Sequence, residues 1–345
     1  MSPQVRPQRR WQPGFLSQRG LIMAVGVLAL AVINGLTAAA QSGETATQQL
    51  FLPVIRTRPQ TWRPFADTSP WNVRIASNAS VDPRSSVMIN QLLAVTPISG
   101  FWINLYDVTV PIWRADASTP YVSVSCAPNS CKDLASVPIP ANAVPDPASQ
   151  GHMMVIDAGR TRAWDFWRAK KNNDGSWSAG YGASFDVFGE GVRPRGKGSA
   201  RASGLPLAGG LVYLDEVKAG RIEHALVFNY DAPMSCLVYP ASTNGNNSDD
   251  PDSIPFGARL QLDPTLDLDT LGLTPAAKVI ARAMQEYGLI LGDGGASYIT
   301  LYAESFYGKS GGDPWASVLK ETDLLKIPLN RLRVLTLGPV DCVPD

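Results

Sequence analysis

Two histidines, a scatter of acids and a knot of aromatic rings crowd the middle third of this 345-residue chain. His152 opens the run His-Met-Met-Val-Ile-Asp157, and His224 sits in Arg-Ile-Glu-His-Ala-Leu-Val-Phe228. Strand alternation puts Ile222, His224, Leu226 and Phe228 on one face. Glu223, Ala225, Val227 and Asn229 then share the other. An imidazole on a rigid strand is the best single candidate for a general acid or base. On an otherwise apolar face it also reads as a hydrogen-bonded core residue, and the two readings stand side by side.

The acids suggest what such a base could work with. Asp186 and Glu190 lie in Phe-Asp-Val-Phe-Gly-Glu-Gly-Val-Arg-Pro194, Asp215 and Glu216 follow a strand-like run at 211–214, and Glu223 precedes His224. Two carboxylates across a cleft are the tools of glycoside hydrolysis, one as acid and one as base or nucleophile. Alternatively, Tyr213, Arg193 and His224 suit β-elimination from a uronic acid, with the base taking the C5 proton. Neither set has a diagnostic spacing. The plainer reading is that Asp215 and Glu216 cap a turn while Glu190 solvates a loop.

Trp164, Trp167, Trp177, Tyr181 and Phe185 fall within one stretch, where they could stack on sugars or simply fill a core. Trp164, Trp167, Trp177 and His152 are the candidate substrate-binding residues. The polar loop STNGNNSDDPDS (242–253) carries Asp249, Asp250 and Asp252, a possible calcium loop and otherwise a solvated one. No other cofactor is suggested. Phosphate loops, dinucleotide fingerprints, H-E-x-x-H and G-x-S-x-G are absent, which excludes nucleotide enzymes, zinc proteases and α/β-hydrolases.

The elements that must carry these residues are mostly strands. Strand-like runs at 99–110, 121–125, 152–157, 162–169, 176–188, 210–213, 221–230, 258–262, 298–303 and 332–337 alternate with turn signals. Asn172-Asn173-Asp174-Gly175 predicts a hairpin turn, and Asp293-Gly294-Gly295 a second one. Thr274 as N-cap, Pro275 at the first position, an apolar stripe and Gly288 as stop define one helix. Shorter helices are expected at 85–95 and from Asp313-Pro314 to about 321. With 30 glycines and 28 prolines, about 17% of the chain against a usual ~12%, many short elements are favoured over a helical bundle. The expected fold is mainly β, a β-sandwich or jelly roll with two or three packed helices.

The first 40 residues read as an export signal. They hold Arg6, Arg9, Arg10 and Arg19 and no acid, then the apolar run LIMAVGVLALAVINGL (21–36), then Ala38 and Ala40 in a small-x-small cleavage site. An uncleaved anchor helix is the rival reading. Residues 41–61 read as a linker around a short apolar piece at 50–55, and 62–345 as one β-rich domain. Beyond the signal, 26 basic residues face 30 acids, which excludes nucleic acid as a main partner. Membrane contact would run only through the N-terminal segment. Cys126 and Cys131 flank a Pro-Asn-Ser turn suited to a local disulfide, which leaves Cys236 to pair with Cys342. Both bridges agree with a secreted or cell-surface location.

Several phrases together resemble a family of exported bacterial β-rich proteins, over residues 65–337. They are GHMMVID (151–157), FDVFGEGVRP (185–194), EHALVF (223–228), IPFGARL (254–260) and ARAMQEYGLILGDGG (281–295). The resemblance implies export and carries over no functional residue. Lys218-Ala219-Gly220 is similar to a motif of jelly-roll alginate lyases, whose tyrosine and glutamine–histidine partners are missing here. The role expected from the sequence is acting on or binding extracellular polysaccharide, as a glycoside hydrolase or lyase. The alternative is a non-catalytic carbohydrate-binding or adhesion module.

Overall fold

The continuous apolar run Leu226–Tyr230 is buried on both faces, as expected of a central strand with layers above and below it. The computed structural model describes residues 62–126, 131–245 and 247–343. The expected signal and linker (1–61) lie outside the described residues. Leu226–Tyr230 pairs in parallel with Leu289–Gly294 and antiparallel with Thr300–Tyr302. Trp102–Asn104 extends this six-stranded sheet on one side, and Arg259–Leu262 followed by Leu332–Val334 on the other. A second sheet runs in the order Tyr181–Asp186, Arg162–Trp167, Met153–Ile156, Val110–Arg114, Glu304–Ser305. The described residues are thus mainly β, with three α-helices among them, and both large sheets mix parallel and antiparallel pairs.

Alternation sorts the side chains into three buried layers. Val110, Ile112, Met154, Ile156, Ala163 and Phe185 of the second sheet share one cluster with Val227, Ile290 and Tyr302 of the first. The two sheets therefore face one another. On the far side of the six-stranded sheet, Leu226, Phe228 and Leu260 pack on the helices Ser85–Ala94 and Pro275–Glu286. On the far side of the second sheet, Trp113, Val155, Trp164 and Phe166 meet Leu134, Val137 and Trp177.

The long helix forms as its signals dictate. The Thr274 hydroxyl accepts from the Ala277 amide at 3.3 Å, and Ala277, Ile280, Ala281 and Met284 face the sheet. Gly288 turns the chain at φ +76°, and a Cβ there would lie 2.3 Å from the Leu260 carbonyl oxygen. The Asn172–Gly175 turn is present between Lys170–Lys171 and Trp177–Ala179.

Three local expectations are corrected. Asp293-Gly294-Gly295 does not close a hairpin, because the strands on either side of it pair with opposite edges of Leu226–Tyr230. The segment from Asp313 is a series of turns rather than a helix. Its Trp315 is fully buried and donates its indole N–H to the Glu304 carbonyl at 2.9 Å, a tertiary anchor that overrides the local helix signal. Residues 210–213 contribute one bridge, Val212 to Ala303, in place of a strand. The chain then forms the short helix Leu214–Ala219, whose first amide donates to the Glu304 carboxylate at 2.9 Å.

Both expected disulfides are present, Cys126–Cys131 and Cys236–Cys342. Such bridges belong to an oxidising compartment. Among the described residues no helix is long and apolar enough to cross a membrane. The second bridge spans 106 residues and the first only 5. Loop-closure entropy grows with that separation, so replacing Cys236 and Cys342 by alanine should cost about 4–5 kcal/mol, and replacing Cys126 and Cys131 about 2 kcal/mol. Urea denaturation of the two double variants checks the ranking.

Candidate functional site

Trp167 and Tyr181 are direct cross-strand partners at the edge of the second sheet, so their rings project from the same face. They form one wall of a cavity of about 460 Å³. Gln150 fixes the indole by accepting its N–H at 2.6 Å, and the Arg168 guanidinium stacks 4.2 Å from the ring centroid. Tyr181 lies against Gly198, where a Cβ would sit 2.8 Å from the phenol oxygen. His152, Arg201, Thr243 and Asp293 supply polar groups to the same cavity.

Arg201 organises the opposite wall. It is buried at 3% exposure, and its guanidinium donates to the backbone carbonyls of Gly209 at 2.9 Å, Pro206 at 3.0 Å and Leu207 at 3.4 Å. It also stacks on Tyr302, 5.5 Å from the ring centroid. The loop that carries it is tied to both sheets. The Leu207 amide donates to Asp165 at 2.5 Å, the Val227 amide to the Gly210 carbonyl at 2.9 Å, and the Ser203 hydroxyl to the Gly292 carbonyl at 2.6 Å.

Burial shifts the titrating groups around this cation. Burial pushes the Asp165 carboxyl up to about 7, against the Leu207 hydrogen bond and the charges of Arg201 and Arg193. Its second oxygen has no hydrogen-bond partner. Asp293 is half-buried on the cavity, and its partial burial raises it to about 6, against the charge of Arg201. Burial and then Arg201 push the His152 imidazole down to about 4, despite a hydrogen bond with the Ala200 backbone. His152 is therefore neutral at physiological pH, and its Nδ1 has no partner. Asp165, at 0% exposure, lies beyond the cavity wall.

The sequence candidates for catalysis do not meet here. His224 is buried at 2%, with Nδ1 donating to the Ala225 carbonyl at 2.9 Å and Nε2 paired to the Glu216 carboxylate at 3.0 Å. Burial pulls its pKa down, but the charge and hydrogen bond of Glu216 outweigh that and leave it raised. It is a hydrogen-bonded core group in the bend that precedes Leu226–Tyr230, so the expected placement of Ile222 and His224 on that strand is corrected, and it lies on no groove. Tyr213 packs edge-on to it and donates its hydroxyl to the Ala208 carbonyl at 2.9 Å. Arg193 pairs with Asp133 at 2.9 Å. Asp186 is exposed and accepts from the Phe188 amide, Glu190 accepts from the Thr68 hydroxyl, and Glu223 pairs with Arg221 at 2.6 Å. Asp215 is exposed on the short helix.

Of the aromatic candidates, Trp167 lines the cavity with His152, while Trp164 and Trp177 are buried in the outer core. Asp249, Asp250 and Asp252 do not converge. Asp252 pairs with Arg84, Asp250 accepts from the Asp252 amide, and the described residues contain no cluster of three ligating side chains. Sequence reasoning missed Arg201 and Asp293. Arg201 stands within the glycine-flanked run 196–204, where nothing distinguishes it from a solvated arginine. The larger cavity, about 1,020 Å³ beside Cys236–Cys342, has no aromatic ring among its described lining residues.

Comparison with protein-family models finds no match. None is found among curated proteins or solved structures either.

Two stability tests separate the buried groups. His224→Ala strands the Glu216 carboxylate in the core and should cost about 3–5 kcal/mol in denaturant melts. Asp165 has a folded pKa above its unfolded value, so its contribution is complete below about 3.8 and is lost as pH rises to about 7. Asp165→Asn should therefore match the parent protein at pH 4 and exceed it at pH 8 by ~2–4 kcal/mol, since each tenfold change in proton affinity is worth about 1.4 kcal/mol.

Proposed function

We propose that this protein binds carbohydrate outside the cytoplasm, in the cavity walled by Trp167 and Tyr181. The observation that carries this reading is the pairing of two aromatic faces on one wall with Arg201, Asp293 and Thr243 on the others. Sugars present apolar faces bordered by hydroxyls, and such a lining offers both a ring to stack on and donors and acceptors to satisfy. The volume lies within the range of small-ligand sites. Two disulfides and an N-terminal segment with a small-x-small site support an exported protein.

Binding is favoured over hydrolysis. A glycosidase needs two carboxylates facing the scissile bond, and Asp293 is the one carboxylate among the described residues of this lining. The lyase set Tyr213, Arg193 and His224 is spread over separate, internally satisfied contacts.

A glycan array followed by calorimetry tests the reading. Trp167→Ala should weaken binding of the array ligand at least tenfold, while Trp102→Ala, remote from the cavity, should leave it unchanged. An array with no ligand, or equal affinity for the parent protein and Trp167→Ala, rejects this site.

A further inference from the structure

We infer that the cavity selects an acidic sugar, a uronate whose carboxylate sits between Arg201 and Asp293, and that binding tightens as the pH falls. This rests on the carbohydrate reading and names its ligand class. Arg201 and Asp293 line the same cavity on different elements, the loop at 199–209 and the strand Leu289–Gly294. They influence one another electrostatically yet form no ion pair within 4.0 Å. A carboxylate placed between them is attracted by the guanidinium. It also accepts a hydrogen bond from the Asp293 carboxyl once that side chain is protonated.

The surrounding groups leave this pair in control of the cavity's charge. From the second sheet, His152 is neutral above about pH 4 and Asp165 titrates near 7 behind the wall. From the first sheet, burial raises Tyr302, and burial likewise raises Tyr213 in the layer between, so both phenols stay neutral. Asp293 itself titrates near 6. Above that pH a second negative charge faces any anionic ligand. Below it, Arg201 is left uncompensated while a uronate, with a carboxyl pKa of about 3.5, is still ionised. Protonation of Asp293 and uronate binding are therefore linked, and each favours the other.

Calorimetry with tri-galacturonate and with its fully methyl-esterified form, at pH 5.0 and 7.5, tests this. The expected result is an affinity for the acid about tenfold higher at pH 5.0, matched by an about tenfold tighter hold of Asp293 on its proton in the complex. The ester should show no pH dependence. Asp293→Asn should bind the acid equally at both pH values, with thermal melts confirming that it is folded at each. Equal binding of acid and ester at both pH values overturns the inference and leaves the carbohydrate reading in place. Failure of both forms together with a blank glycan array overturns both. If the pH dependence survives Asp293→Asn and vanishes in Asp165→Asn, the control lies with the buried carboxyl and the proposal is wrong.

Discussion

A guanidinium enclosed between two sheets is the constraint on which the rest of the structure turns. Removing Arg201 from water is costly unless its donors are met, and backbone carbonyls meet them. Those carbonyls belong to a segment that cannot pair as a strand, since its C=O groups converge on a side chain. The loop must then be fixed by other means. Asp165 on one sheet and Val227 and Gly292 on the other do that. The same loop supplies Ser199, Ala200, Arg201 and Ala202 to the cavity lined by Trp167 and Tyr181.

Burial accounts for the unusual ionisation nearby, and the same charge modulates it. Asp165, Asp293 and His152 are each displaced from ordinary values, and burial is the leading cause in all three. Arg201 opposes burial for the two acids and reinforces it for the imidazole. Its presence therefore narrows the gap for the carboxyls and widens it for the histidine. The result is a cavity lined by one permanent charge, one group titrating near 6 and one uncharged imidazole.

Much of the scaffold was legible in the sequence because it rests on local rules. Alternation over 162–167 and 226–230, the Thr274–Pro275 cap, the Asn172–Gly175 turn and the cysteine spacings each act within a few residues or through chemistry that admits few partners. What could not be read is the order in which strands assemble. Leu289–Gly294 and Thr300–Tyr302 are neighbours in sequence yet are separated by Leu226–Tyr230, and only burial of both faces of that strand explains it. Trp315 likewise overrides a good helix start because its indole has a place in the core. Within the site, Trp167 and His152 were visible as residue types that bind. Arg201 and Asp293 were not, since an arginine and an aspartate in glycine-rich stretches look solvated until the fold buries the one and sets the other, half-buried, on the cavity.

The two histidines show why residue type alone cannot assign chemistry. Both are buried just ahead of a strand, and His224 has the neighbours that suggest a catalyst, with a glutamate and a tyrosine within reach. Yet both of its nitrogens are engaged, by Glu216 and the Ala225 carbonyl, so the ring is tied into the core at both ends. A proton committed at both ends cannot be passed to a ligand without leaving Glu216 unpaired in the core. His152 is the reverse case. Burial and the nearby guanidinium keep it neutral, one nitrogen is spare, and the residue lines a cavity. The difference lies in which charge each ring meets. A carboxylate locks His224 into the fold, and a guanidinium keeps His152 an uncharged part of the cavity wall.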